Sequence, residues 1–169
     1  MAGRRPPHQA PVGLGGGDLA AHDAADFGAF LELLPETLNG QKLRHVVEVR
    51  HDSFRSPEFV ALIRKFGIAV VYAEHAKYPG IPDVTANFVY ARLQKGKDDI
   101  PTAYPPKELD AWAKRLRTFA GGAVPKDLAV VDTKARPKAM PRDVFAYVIH
   151  EGKVRAPAGA MALIENLAE

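Results

Sequence analysis

One stretch decides the fold: Leu43–His75 reads LRHVVEVRHDSFRSPEFVALIRKFGIAVVYAEH. It opens with the β-branched run His45–Arg50, which predicts a strand. Ser56 then offers a helix-capping side chain and Pro57 suits the first helical position, so a helix is expected next. The run Ile68–Ala73 is apolar throughout, as in a strand that is buried on both faces. A strand, a helix and a strand in this order predict a right-handed βαβ unit with parallel strands.

The same alternation continues on both sides of this unit. Upstream, Asp26–Leu34 places apolar residues at i, i+3, i+4 and i+7, which predicts an amphipathic helix. Downstream, the expected elements are a strand at Asn87–Leu93, a helix after Pro105 and Pro106, a basic loop over 123–142, a strand at Asp143–His150 and a helix at Ala156–Leu167. Within the loop, Leu128–Val131 could make a short extended piece. The apolar residues at helical spacing are Leu109, Trp112, Ala113, Leu116 and Phe119 in the first of these helices and Met161, Leu163, Ile164 and Leu167 in the second. Four strands that alternate with helices predict an α/β fold with a parallel sheet. Spacing alone does not choose between an open doubly wound sheet and part of a barrel.

The first 22 residues differ in composition from the rest. They are rich in proline and glycine and carry few large apolar side chains, so they cannot bury enough surface to offset the entropy lost on ordering. We therefore expect a disordered tail over 1–22, which is either a true tail or the product of a misplaced start site. Residues 23–169 are expected to form one folded domain.

Composition narrows the class of protein. The 169 residues are 47% hydrophobic and 25% charged, which is ordinary for a globular domain, and the absence of cysteine excludes disulfides and thiolate chemistry. The net charge of +3 is spread thinly along the chain, so nucleic acid is not the favoured partner. Neither a signal peptide nor a membrane-spanning run is evident, which favours a cytoplasmic protein without a membrane partner. No phosphate-binding loop or nucleophile elbow occurs, and no cofactor is indicated.

A charged residue, a histidine or a tyrosine lies at the end of each predicted strand. These are Glu48, Arg50 and His51 at the first strand, Glu74 at the second, Tyr90 and Arg92 at the third, and His150 at the fourth. In parallel α/β folds the carboxyl ends of the strands form the edge at which ligands bind. The pattern therefore predicts a shared polar site at this edge.

Strand alternation suggests roles for these residues. It puts Glu48 and Arg50 on one face and the neighbouring valines on the other, toward the helices. An Arg–Glu pair can orient a substrate carboxylate or phosphate, or hold a carboxylate as a base, although one such pair can also merely fill the interior. We expect a catalytic group of Glu48, Arg50 and His51. The expected ligand-binding residues are Tyr90, Arg92, Glu74 and His150.

Two other chemistries are weaker alternatives. His51, Glu74, His150 and Glu151 are possible nitrogen and oxygen ligands for a divalent ion, but no tight local spacing supports them, so no metal ligand set is predicted. Ser53 follows His51 closely and is a faint nucleophile candidate. Ser56, in contrast, is explained by helix capping.

Four segments carry a resemblance to a known family. They are DFGAFLELLP (Asp26–Pro35), LRHVVEVRHDSF (Leu43–Phe54), FVYARLQ (Phe88–Gln94) and AWAKRL (Ala111–Leu116). In order and spacing they resemble the YecE-like family, domain of unknown function 72, over about residues 24–168. The resemblance implies an uncharacterised bacterial protein with a TIM-barrel-like fold. Because the family's first four βα units have no counterpart here, it also implies the C-terminal half of the barrel.

The resemblance carries over site residues without roles, since the family has no established reaction. They are Glu48, Arg50, His51, Tyr90, Arg92 and, more loosely, Glu74. Much of the family ends its last strand in an asparagine pair, where this chain has Ile149 and His150, so no role transfers to His150.

A half-barrel leaves two sheet edges and its inner face open, so we expect either a homodimer that forms through these edges or the instability of a truncated product. Three functions stay open at this stage. The first is binding or conversion of a small polar or anionic molecule. The second is a metal-dependent enzyme that resembles sugar-isomerase or apurinic-endonuclease barrels. The third is an inactive fragment.

Overall fold

The computed structural model describes residues 12–15, 24–135, 137–149 and 154–168. Within these ranges the strands are β1 (Val12–Gly15), β2 (Thr37–Leu38), β3 (Gln41–Lys42), β4 (His45–Glu48), β5 (Ala69–Glu74), β6 (Phe88–Leu93) and β7 (Asp143–Val148). The helices are α1 (Ala24–Glu32), α2 (Pro57–Lys65), α3 (Pro106–Ala120) and α4 (Ala156–Ala168), with a 3-10 turn at Asp52–Phe54. None of the helices described is both long and apolar enough to cross a membrane.

The main sheet has five parallel strands in the order β1-β4-β5-β6-β7. Neighbouring strands in the sheet therefore follow one another in sequence order, as they do around a barrel. In a doubly wound sheet the strand order would reverse at a switch point, and here it does not. The predicted parallel α/β fold is confirmed. Its arrangement is that of a partial (β/α) barrel, which removes the alternative that the sequence pattern left open.

All four described helices pack on one face of the sheet, here called the outer face. Helices α1 and α2 cover Val47, Val49 and Val70. Helices α3 and α4 cover the outward side chains of β6 and β7. The five apolar residues predicted to line α3, namely Leu109, Trp112, Ala113, Leu116 and Phe119, are all buried. The opposite, inner face has its own apolar cluster, which contains no residue of a helix.

The connection from β5 to β6 contains no helix, although it joins parallel strands. Residues 75–87 form an irregular loop, and its Ile81 is fully buried in the cluster beneath α1 and α2. The hydroxyl of Thr85 accepts a hydrogen bond from the Val70 amide (2.9 Å) and donates one to the Ile68 carbonyl (2.7 Å). This loop thus covers part of the outer face. It also provides hydrogen-bond partners for backbone groups at the start of β5, a level that β6 does not reach.

Carboxylates hold the loop over 123–142, in which the structure describes no strand. Asp83 accepts hydrogen bonds from the Val131 amide (2.8 Å) and the Asp132 amide (2.9 Å). Asp132 in turn pairs with Arg64 of α2 at 2.8 Å. The hydrogen bond from Arg64 lowers the pKa of the Asp132 carboxyl below its usual value. The short extended piece that Leu128–Val131 could have formed is absent from the described loop.

Two elements were not predicted. Val12–Gly15 forms β1, inside the segment for which we expected disorder, and pairs in parallel with His45–Glu48; residues 1–11 and 16–23 lie outside the described part. The second element is the β2–β3 hairpin. Its turn is Asn39-Gly40, with φ of 51° and 78°, the left-handed conformation that two-residue hairpin turns require.

Helix α4 departs from the pattern expected of it. Of its four large apolar residues only Leu163 is buried, whereas Met161 and Ile164 are 61% and 63% exposed and Leu167 is 37% exposed. A similar departure occurs at α1, where Phe27 and Leu31 are buried but Phe30 is 41% exposed. These two helices lie at the two ends of the helical layer, since α1 packs on α2 and α4 on α3.

The cap of α2 provides a test of the local sequence signal. The Ser56 hydroxyl accepts a hydrogen bond from the Phe59 amide at 3.1 Å. Ser56→Ala leaves that amide without its partner, so we expect the free energy of unfolding to fall by about 1 kcal/mol in urea titration. Ser56→Asp retains a capping oxygen and should stay near the original stability. Equal losses in both variants would contradict the capping role.

Candidate functional site

The candidate site lies on the inner face, at the carboxyl ends of the strands. Alternation assigns to this face the residues Val46, Glu48, Ala69, Val71, Ala73, Phe88, Tyr90, Arg92, Phe145 and Tyr147. The middle of the face is apolar, whereas its carboxyl end carries charges and phenol groups. The polar groups therefore gather where parallel α/β folds bind ligands.

Glu48 is the centre of this site. Its Oε1 accepts a hydrogen bond from Nε of Arg50 at 3.2 Å, and its Oε2 accepts one from Nη1 of Arg92. The Glu48 side chain is 11% exposed, against 21% for Arg92 and 47% for Arg50. Strand β5 lies between β4 and β6, and near this level its inward residues are the apolar Val71 and Ala73, across which Glu48 and Arg92 pair. The structure thus brings together three of the predicted site residues.

Two tyrosines extend the site toward β7. The rings of Tyr90 and Tyr147 are stacked, with centroids 4.9 Å apart and planes at 22°. Tyr147 lies opposite Arg92 in the register of β6 and β7. Burial, the proximity of Tyr147 and the hydrogen bond to it raise the pKa of Tyr90 to about 12. Tyr90 therefore keeps its proton at neutral pH and can donate a hydrogen bond.

Arg50 is also held by the loop that follows β5. Its guanidinium lies over the ring of Tyr78, 5.0 Å from the centroid. Tyr78 is stacked on His75 at 4.0 Å with an interplanar angle of 16°, and the Lys77 amide donates a hydrogen bond to Nδ1 of His75 at 3.0 Å. This aromatic pair fixes a long side chain that is otherwise half exposed.

His51 has a local role in the structure. Its Nδ1 accepts a hydrogen bond from the Ser53 amide at 3.2 Å and lies 2.8 Å from the Ser53 hydroxyl. His51 thereby caps the 3-10 turn at Asp52–Phe54, and its side chain is exposed. The described contacts of His51 do not include Glu48 or Arg92. Ser53, the nucleophile candidate, is thus hydrogen bonded to His51. The capping of the 3-10 turn explains this geometry.

Glu74 lies on the other face of the sheet from Glu48. Its Oε2 accepts a hydrogen bond from the Tyr104 hydroxyl at 2.9 Å and its Oε1 accepts one from the Trp112 indole at 3.1 Å. The Tyr104 hydroxyl in turn accepts one from the Lys95 amide at 2.9 Å. Burial and the charge of Glu74 raise the pKa of Tyr104 far above its usual value. Glu74 therefore ties β5 to α3 and to the loop after β6, and it is not brought together with Arg92.

The remaining candidates are His150 and a metal centre. His150 and Glu151 lie outside the described residues, so their places relative to Glu48 are not part of the structure. In the ranges that are described, no three His, Cys, Asp or Glu residues gather as a metal ion would require. Glu74, one of the possible ligands, lies on the outer face of the sheet with Tyr104 and Trp112.

Sequence reasoning missed four residues at or beside the site: Tyr78, His75, Gln94 and Tyr147. The Oε1 atom of Gln94 is buried without a hydrogen-bond partner, and alternation from Arg92 places it on the inner face at the end of β6. Tyr147 could have been found, because alternation along β7 puts it on the same face as Phe145. No sequence signal identifies Tyr78, since it lies in an irregular loop.

The strand order, the one-sided helical layer and the polar cluster at the carboxyl edge define the class as an α/β protein with the arrangement of a partial (β/α) barrel. The chain belongs to the family described as protein of unknown function DUF72, whose family model matches residues 18–169. This match confirms the resemblance found in the sequence. No curated protein and no solved structure matches the chain.

The contacts of Glu74 predict that its network serves stability. Tyr104→Phe removes the hydroxyl that bridges Glu74 and Lys95, so we expect the free energy of unfolding to fall by about 1–2 kcal/mol in chemical denaturation. Tyr72→Phe is the matched control, because no hydrogen bond is described for its half-buried hydroxyl. Equal stability of the two variants would contradict this role.

The raised pKa of Tyr90 predicts a dependence of stability on alkaline pH. The unfolded chain loses this proton near pH 10 and the folded chain near pH 12, so between these values the folded state binds more protons. Below about pH 10, ionisation of Tyr90 should therefore not change the free energy of unfolding. As the pH rises above about 10, this ionisation should lower the free energy of unfolding. Denaturation curves measured from about pH 9 to about pH 11 should show that the free energy of unfolding falls less steeply with pH in Tyr90→Phe than in the original chain. Parallel decreases in both proteins would contradict the assignment.

Proposed function

We propose that this protein binds a small anionic molecule, such as a phosphate or carboxylate compound, at the carboxyl edge of its sheet. Arg50 and Arg92 supply the positive charge, and Glu48 orients both of them. Tyr90, Tyr147 and Gln94 supply neutral polar groups around the arginines. The single observation that carries the proposal is that two guanidinium groups converge on one carboxylate, which leaves a net positive charge at this edge.

The hydrogen-bonding capacity of the arginines supports this function. Each guanidinium has five N–H donors, and the contact with Glu48 described for each uses only one of them. Arginine suits carboxylate and phosphate because its donors form a planar fork that matches two oxygens. Since Arg50 is half exposed, its free donors can reach a molecule that arrives from solvent.

The position of Glu48 favours binding over proton transfer as its role. Both of its oxygens already accept hydrogen bonds from guanidinium groups, which suits orientation of the arginines. His51, the other expected acid or base, has its Nδ1 engaged with Ser53. The proposal therefore assigns binding to this cluster and assigns no reaction step.

Phosphate and small carboxylates are the probes for this function. Isothermal titration of the whole chain with inorganic phosphate, malonate and citrate should detect binding that weakens at high salt. Arg92→Gln should raise the dissociation constant of the tightest-binding probe by roughly tenfold or more, because the substitution removes a charged donor from the site. Glu48→Gln should tighten binding, because the amide keeps an oxygen that can still accept a hydrogen bond from an arginine and removes the negative charge that repels an anion.

Arg44→Gln is the matched control for these variants. Arg44 is an arginine paired with a carboxylate, Asp143 at 2.7 Å, but it lies at the amino ends of the strands. Its replacement should leave anion binding unchanged. Binding that is lost equally in the Arg44 and Arg92 variants, or no binding of any probe by the original chain, would contradict the proposal.

A further inference from the structure

The last strand of the sheet borders an apolar groove. Strand β7 is bonded to β6 on one side, and within the described residues no strand lies on its other side. Beside it, between β7, α3 and α4, is a groove of about 450 Å³, whose apolar lining includes Val144, Ala146 and Val148 of β7 and Leu163, Ile164 and Leu167 of α4. An unpaired strand edge next to an apolar groove is a surface that a further βα unit could cover.

A buried arginine lines the same groove. Arg142 is only 7% exposed, and its Nη2 donates a hydrogen bond to the Lys138 carbonyl. Its Nε and Nη1 atoms are buried without a partner. Arg142 therefore places a buried positive charge beside the groove, which favours an occupant with negative charge. Arg117, which also lines the groove, adds a second positive charge.

The opposite end of the molecule has the complementary features. Strand β1 is the other edge of the sheet, and α1 is the helix that follows it. Phe30 of α1 is 41% exposed, and Leu33, which follows the helix directly, is 82% exposed. Residues 24–37 carry three exposed carboxylates and neither lysine nor arginine. The carboxylates are Asp26, Glu32 and Glu36. This end is therefore apolar and acidic. The groove beside β7 is apolar and carries two arginines and one carboxylate, Asp143, which is paired with Arg44.

We propose that the β7–α4 edge of one chain docks the β1–α1 edge of a second copy, in a two-fold symmetric dimer. Because all strands of the sheet are parallel, a two-fold axis along the strand direction places each β7 beside the partner's β1 with the same polarity. The same rotation forms both seams, so no sheet edge of either chain remains free. Apolar side chains of α4 meet those of α1, and the acidic segment faces Arg117 and Arg142. The dimer does not depend on anion binding at the carboxyl edge.

Sedimentation velocity of the whole chain tests the assembly. Between about 1 and 100 μM the chain should sediment as a dimer, and Ile164→Glu should raise the dissociation constant at least about tenfold, since it would bury a carboxylate in an apolar seam. Leu38→Glu is the control, because Leu38 is 58% exposed but lies on the separate β2–β3 hairpin. Circular dichroism must show that both variants are folded. If the original chain is monomeric at 100 μM, the proposal is wrong.

Cross-linking tests which surfaces meet. The chain has no cysteine, so Leu33→Cys and Ile164→Cys each introduce a unique thiol. With a short bis-maleimide, a mixture of the two single variants should give a cross-linked dimer and each single variant alone should not. Cross-linking of either variant with itself would mean a different interface and overturn the proposal. A monomer that carries a bound amphiphile in the groove, detected by native mass spectrometry, would also overturn it.

Discussion

The structure depends on one constraint: helices cover a single face of a parallel sheet, so each strand must present two different surfaces. Toward the helices the strands present residues such as Val47, Val70 and Leu93, which are buried in the outer clusters. Toward the inner face the same strands present a mixture of apolar, aromatic and charged residues. Because side chains alternate with a period of two, a shift of one residue moves a side chain from one surface to the other.

The fates of two glutamates follow from this constraint. Glu48 lies at an inward position of β4 and joins two arginines. Glu74 lies one position beyond the inward Ala73 and so points outward, where Tyr104 and Trp112 bind it. Both carboxylates end a strand and look equivalent in the sequence, yet one belongs to a polar edge open to solvent and the other to the packing between β5 and α3. Position within the alternation, more than residue type, separates the candidate site from the scaffold.

The inner face carries charge at both ends and apolar residues between them. At the amino end, Arg44 pairs with Asp143 and lies over the rings of Phe88 and Phe145, at 5.3 and 4.8 Å from their centroids. At the carboxyl end, Glu48 holds Arg50 and Arg92. The two arrangements differ in what surrounds the guanidinium. Arg44 is covered by aromatic rings and is paired with one carboxylate, whereas two arginines share Glu48, so the cluster around Glu48 has one more positive than negative charge.

Local signals in the sequence were sufficient for most of the fold. The Ser56-Pro57 start of α2, the stripe of α3 and the apolar run of β5 each act over a few residues, and all three elements form as predicted. The strand at Val12–Gly15 was missed, because its glycines carry no strand signal and its order comes from pairing with β4. The Asn39-Gly40 dipeptide is a local signal for a hairpin turn, but the hairpin was not predicted. The burial of α4 was overestimated because periodicity shows which face is apolar but does not show whether a partner covers it.

For the site, the sequence predicted polar side chains at the carboxyl edge but did not predict which of them contact one another. Glu48, Arg50 and Arg92 could be assigned to one face by alternation, and the structure brings them together. The contribution of Tyr147 required the register of β6 against β7, which no single-strand pattern contains. That register also places the site beside the edge of the sheet, since Tyr147 belongs to the terminal strand β7. The proposed anion site and the proposed seam therefore share a strand, and an occupant of the β7 edge would form the wall that the site lacks on that side.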